Sequence, residues 1–78
     1  MITRSEQEVI EKVLSDYSDE IQYAWSGEYY LITPVGKKWK QYHLFPDDKT
    51  WCNPKAKSRT YYPYKSISHF IERYVLSD

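Results

Sequence analysis

In 78 residues the chain has one cysteine, two glycines and two histidines, and its formal charge sums to zero. Each scarcity closes off a class of chemistry. A single cysteine, Cys52, leaves no intramolecular disulfide, so nothing demands an oxidising compartment and a reduced, cytoplasmic setting fits the composition. Gly27 and Gly36 are the only glycines, too few for a phosphate-cradling loop. His43, His69 and Cys52 fall on three separate predicted elements, which is not the close spacing a zinc site needs. No apolar run approaches membrane-spanning length, and the first twelve residues are acidic where a secretion signal needs a basic flank and an apolar core. A soluble protein with no membrane partner is expected. No repeat or low-complexity segment is present.

Enzymatic chemistry finds little to work with. Cys52 with either histidine would make a nucleophilic pair, but no third residue can be assigned to orient it. Cys52 therefore reads as a small packing residue or a plain thiol. Asp47-Asp48 follows Pro46 and reads as the start of a turn rather than a carboxylate pair. No catalytic residue, metal or cofactor is expected, and the chain is read as a non-enzyme.

Aromatics are plentiful: 18% of the residues, nine of them Tyr, more ring surface than one small core needs. The zero net charge also conceals a division. Residues 1–30 hold two Lys/Arg against seven Asp/Glu, and residues 31–66 hold eight against two. An acidic first third and a basic middle suit a partner with its own charge pattern.

Thr3-Arg4-Ser5-Glu6 and Ser5-Glu6-Gln7-Glu8 are overlapping capping boxes, and Val9, Ile10, Val13, Leu14 and Tyr17 then recur at helical spacing. They predict a helix from Thr3 or Ser5 to Tyr17, with Glu6, Glu8 and Glu11 matched to its dipole. From Ile21 the odd positions Tyr23, Trp25, Tyr29 and Leu31 continue a period-two pattern across Ser26-Gly27. That dipeptide is either a tight turn or a bulge, and the unbroken odd face favours the bulge. Pro34-Val35-Gly36 then predicts a three-residue hairpin loop in which Thr33 faces Lys37. Leu31 faces Trp39 and Tyr30 faces Lys40 in that register, with Tyr29, Leu31, Trp39 and Phe45 on the core side and Trp25 opposite Phe45. The other face carries Glu28, Tyr30, Ile32, Lys38, Lys40 and Tyr42.

Further on, Pro46 to Lys49 predicts a turn, Thr50-Trp51-Cys52 a short strand, and Arg59 to Tyr62 an edge strand that Pro63 keeps from the sheet centre. Ser66 caps a last helix in which Ile67, Phe70, Ile71, Tyr74 and Val75 form one apolar stripe. The expectation is one α+β domain over residues 1–78. Its two helices lie on one face of an antiparallel sheet of three or four strands, in the order α-β-β-β-α. This order is similar to that of the double-stranded RNA-binding domain. That family's basic cluster at the start of its second helix has no counterpart in Lys65-Ser66-Ile67-Ser68-His69, so no family is assigned.

The function expected is a non-enzymatic protein-protein interaction module. It would act as a stoichiometric inhibitor or adaptor through Tyr30, Ile32, Lys38, Lys40, Tyr42, Arg59, Tyr61 and Tyr62, on a protein partner such as a nucleic-acid-processing complex. The alternative is direct binding of nucleic acid by the basic-aromatic stretches 37–42 and 55–64, where cations track phosphates and rings stack on bases. Homodimerisation through an exposed edge or the tyrosine face is left open by the sequence.

Overall fold

A computed structural model describes residues 3–55 and 60–76. The first helix, α1 (Arg4–Ser15), starts where Thr3 accepts a hydrogen bond from the Glu6 amide at 3.1 Å, so the earlier of the two capping boxes is the one used. It buries Ile10 and Leu14. After a turn in which Glu20 and Ile21 both donate to the Tyr17 carbonyl, the chain enters a five-stranded antiparallel sheet. The strands are β1 (Ile21–Trp25), β2 (Tyr30–Pro34), β3 (Tyr42–Phe45), β4 (Thr50–Cys52) and β5 (Tyr62–Pro63), and each pairs with the next in sequence. A last helical stretch follows. Ser66 caps α2 (Ile67–Phe70) by accepting from the His69 amide at 3.1 Å, and a π-helical segment (Ile71–Val75) continues it to Leu76, whose amide reaches back to the Ile71 carbonyl.

The α+β class and the two helices on one side of an antiparallel sheet agree with expectation; five strands stand where three or four were expected. Ser26-Gly27 is a tight turn, not a bulge. Trp25 pairs with Tyr30, Gly27 takes φ of +103° at the first corner, and the Ser26 amide and hydroxyl both donate to the Tyr29 carbonyl at 3.0 Å. An even-length turn pairs odd residues of β1 with even residues of β2. The core side therefore passes from Ile21, Tyr23 and Trp25 to Tyr30 and Ile32, and onward to Tyr42, Leu44 and Trp51.

That one turn reverses the expected faces. Tyr30, Ile32 and Tyr42 are core residues, while Tyr29, Leu31 and Phe45 stand on the side that neither helix covers. Trp25 meets Tyr30 at 4.6 Å between ring centroids rather than Phe45.

The hairpin register differs as well. Ile32 pairs with Tyr42, not Lys38, and Tyr30 pairs with Leu44, not Lys40. Pro34 closes β2, and the chain makes two successive turns before β3. Lys37 donates to the Pro34 carbonyl with Gly36 at φ +82°, then Lys40 donates to the Lys37 carbonyl with Lys38 and Trp39 at the corners. The run Lys37-Lys38-Trp39-Lys40 is therefore a looped tip rather than a strand. The edge strand expected at Arg59 to Tyr62 is confined to Tyr62–Pro63; Arg59 lies outside the described residues.

Ile10, Leu14, Ile21, Ile32, Leu44, Trp51, Phe70, Ile71 and Val75 form one cluster with the buried rings of Tyr30 and Tyr42. Helices α1 and α2 pack on each other above it. Trp51 is its aromatic centre, within 5.8 Å of the rings of Tyr42, Tyr62, Phe70 and Tyr74. Among the described residues no helix is long and apolar enough to cross a membrane.

Candidate binding surface

Of the side chains expected to contact a partner, the three apolar or aromatic ones on β2 and β3 are withdrawn into the core. Tyr30 is fully buried, and its hydroxyl donates to Glu11 Oε2 at 3.1 Å. Burial, and then the negative charge of Glu11, push its phenol pKa well above the ordinary tyrosine value. Tyr42 donates its hydroxyl to the Tyr74 carbonyl at 3.0 Å, tying the sheet to the π-helical segment. Burial raises its pKa, and the positive charge of Lys37 offsets part of the rise. Ile32 is fully buried. These residues hold the helices and are closed to a partner.

The remaining positions do reach the surface. Lys38 is exposed and Lys40 half-buried, on either side of Trp39, which is 66% exposed rather than the core residue its position suggested. Tyr61 and Tyr62, at about half exposure, point to opposite sides of the sheet: Tyr61 meets Phe45 on the outer side at 5.5 Å, and Tyr62 meets Trp51 on the core side at 4.9 Å.

The strand order determines how these residues lie relative to one another. In an antiparallel meander alternate connections emerge at the same end, so the loop after β2 and the loop after β4 share one end of the sheet. The first carries Lys37, Lys38, Trp39 and Lys40, and the second, which begins at Asn53, carries exposed Lys55. Lys57 and Arg59 belong to that second loop by sequence and fall outside the described residues. The opposite end carries Glu28 in one turn and Asp47 and Asp48 in the other. The charge division of the sequence does not map onto these two ends: Asp47 and Asp48 come from the basic middle and share their turn with Lys49, while Asp19 and Glu20, from the acidic first third, enter β1 at the basic end beside Lys37.

The outer side of the sheet holds a second assembly. Tyr29 stacks on His43 with centroids 4.1 Å apart, and Phe45 lies 5.4 Å from Tyr29. With Tyr61, Glu28 and Cys52 these rings line a hollow of about 340 Å³. Cys52 is only 1% exposed and is the cross-strand neighbour of His43, so the sheet does bring these two together. His69 is on α2, across the sheet, and among the described residues no three metal-ligating side chains cluster.

Of the surface rings, Tyr61 is expected from sequence, whereas Trp39, Tyr29 and Phe45 are expected in the core. The available signal for Trp39 was its setting: three lysines within four residues strain a half-buried strand and suit a solvated turn. Comparison with family models, with curated proteins and with solved structures finds no match for this chain.

Proposed function

We propose that the protein is a non-enzymatic interaction module that binds an acidic surface of a larger protein, as a stoichiometric inhibitor or adaptor, through the basic end of its sheet. The observation that carries this reading is Trp39, 66% exposed at the tip of a turn with Lys38 and Lys40 on either side. Tryptophan and cations around a protruding ring are the side chains that concentrate interface energy, because a rigid ring buries much area at small entropic cost. Lys55, and by sequence Lys57 and Arg59, add positive charge from the neighbouring loop, which steers an acidic partner toward the tryptophan. Tyr61 and Tyr62 flank the β4–β5 side of this end, whereas Tyr30, Ile32 and Tyr42 serve the fold.

A second reading is favoured by the shared end of the two basic loops: a phosphate backbone could run across both while Trp39 stacks on a base. Zero net charge weighs against it. Titration with mixed-sequence single- and double-stranded DNA and RNA, followed by tryptophan emission, separates the two. Binding that weakens steeply between low and moderate salt would replace the first reading with the second, because counterion release sets that slope. In the absence of such binding, Trp39→Ala is expected to keep the cooperative unfolding of the parent, lose the red-shifted part of its emission, and lose a partner that the parent retains in crosslinking. A variant that retains every crosslinked partner at parental yield would remove Trp39 from the interface.

A further inference from the structure

We infer that the hollow on the outer side of the sheet, walled by Tyr29, Phe45 and Tyr61 with Glu28 at its rim, is a binding site for a quaternary ammonium head group. Tyr61 also flanks the basic end; the other residues of this site take no part in the proposed function.

Phe45 packs at 46° to Tyr29 and at 70° to Tyr61, with centroid separations of 5.4 and 5.5 Å that are those of rings in contact, so the three rings stand at angles as one connected wall, and the hollow opens beside them. His43 stacks on Tyr29 and itself lines the hollow. The floor is the sheet itself, where Cys52 is buried and contributes a soft, polarisable sulfur.

The chemistry of the walls selects the charge of the guest. Ring faces carry the negative part of the aromatic quadrupole and attract cations. Among the described residues that line the hollow, the one formally charged side chain is the carboxylate of Glu28, and none is a lysine or an arginine. A primary ammonium or a guanidinium would exchange water on its N–H donors for ring faces and would have to satisfy those donors at the Glu28 carboxylate, the two phenol oxygens and His43. A trimethylated ammonium has no donors to satisfy, spreads its charge over its methyl groups, and fits a shallow aromatic hollow with its tail in solvent. Choline-type small molecules and trimethylated lysine side chains present this same head.

The test uses the whole chain at about pH 8, where an ordinary histidine is neutral. Ring signals of Phe45 and Tyr61 are followed by NMR during titration with choline, with its uncharged isostere 3,3-dimethylbutan-1-ol, and with a trimethyl-lysine peptide beside its unmodified form. Choline is expected to shift these signals, with the isostere binding about fivefold more weakly. Glu28→Gln should weaken choline about two- to threefold, and Tyr61→Leu or Phe45→Leu should abolish the response. A peptide that binds more tightly than choline identifies a protein side chain as the source of the head group; choline binding as well or better identifies a free small molecule. Either result supports the site. Equal affinity for choline and its isostere overturns the inference, since the hollow would then be merely apolar, as does the absence of ring shifts with both choline and the trimethylated peptide at tens of millimolar. Should Phe45→Leu fail to fold, Glu28→Gln in its exposed turn still decides the question.

Discussion

The phenol of Tyr30 illustrates how a single buried hydroxyl makes the fold sensitive to pH. Its proton sits between a ring packed in the core and Glu11, and loss of that proton would place two negative charges 3.1 Å apart under the first helix. Tyr42 and Tyr64 are also pushed up by burial. In the unfolded chain the three would ionise near pH 10, and in the folded chain all three hold their protons beyond it. Above about pH 10 the folded state therefore binds more protons than the unfolded state, so stability is full below that pH and falls as pH rises through the folded values. Denaturant melts from neutral pH to pH 11 should show a decline beginning near pH 10, shallower in Tyr30→Phe and Tyr42→Phe. The ultraviolet titration should show Tyr30, Tyr42 and Tyr64 holding their protons past the ordinary tyrosine value while the protein stays folded. An identical alkaline slope in the parent and in Tyr30→Phe would count against this account. Tyr30→Phe at neutral pH should itself cost about 1 kcal/mol, the worth of a partly buried hydrogen bond.

The turn between β1 and β2 determines which side of the sheet faces the helices. Gly27 at φ +103° has open space where a Cβ would sit, so Gly27→Ala meets no clash and its whole cost is backbone strain. About 1–2 kcal/mol of destabilisation is expected, read from the urea midpoint at unchanged slope. The same turn explains why the elements were legible in the sequence and the binding face was not. Helical periodicity, capping by Thr3 and Ser66, the Pro46–Lys49 turn and the Thr50–Cys52 strand follow from local side-chain chemistry, and each is present in the structure. The alternation of odd residues through Ser26-Gly27 is equally consistent with a bulge that keeps the face and a turn that exchanges it. Composition could not separate them, because both sides of β2 are apolar: Tyr30 and Ile32 on one, Tyr29 and Leu31 on the other. Interior and surface are therefore exchanged on β2 and β3, where Tyr30, Ile32 and Tyr42 are core rather than contacts, while Trp39 is exposed because two successive turns lift residues 37–40 off the sheet. The exposure of Lys38, Tyr61 and Tyr62 was legible because it rested on their polarity and on the edge position of Pro63 rather than on register.

Across the whole molecule, two kinds of closure differ in how far they reach along the chain. Each strand of the sheet pairs with its neighbour in sequence, β1 with β2 through a two-residue turn at Gly27-Glu28 and the rest through connections within the strand region, whereas α1 and α2 bring together the two ends of the described chain. Loop-closure entropy makes the first kind easy and the second costly, so the strand meander should be largely assembled at the folding barrier and the helix pair should dock after it. Chevron kinetics would read this order directly. Gly27→Ala should act mainly by slowing refolding, while Ile71→Val and Phe70→Leu, each costing about 1 kcal/mol, should act mainly by speeding unfolding. The reverse partition would place helix docking before sheet formation. With the order as expected, the lifetime of the folded protein is governed by the few contacts that fasten its terminal helix, and substitutions beneath Phe70 change how long the protein persists more than how quickly it forms.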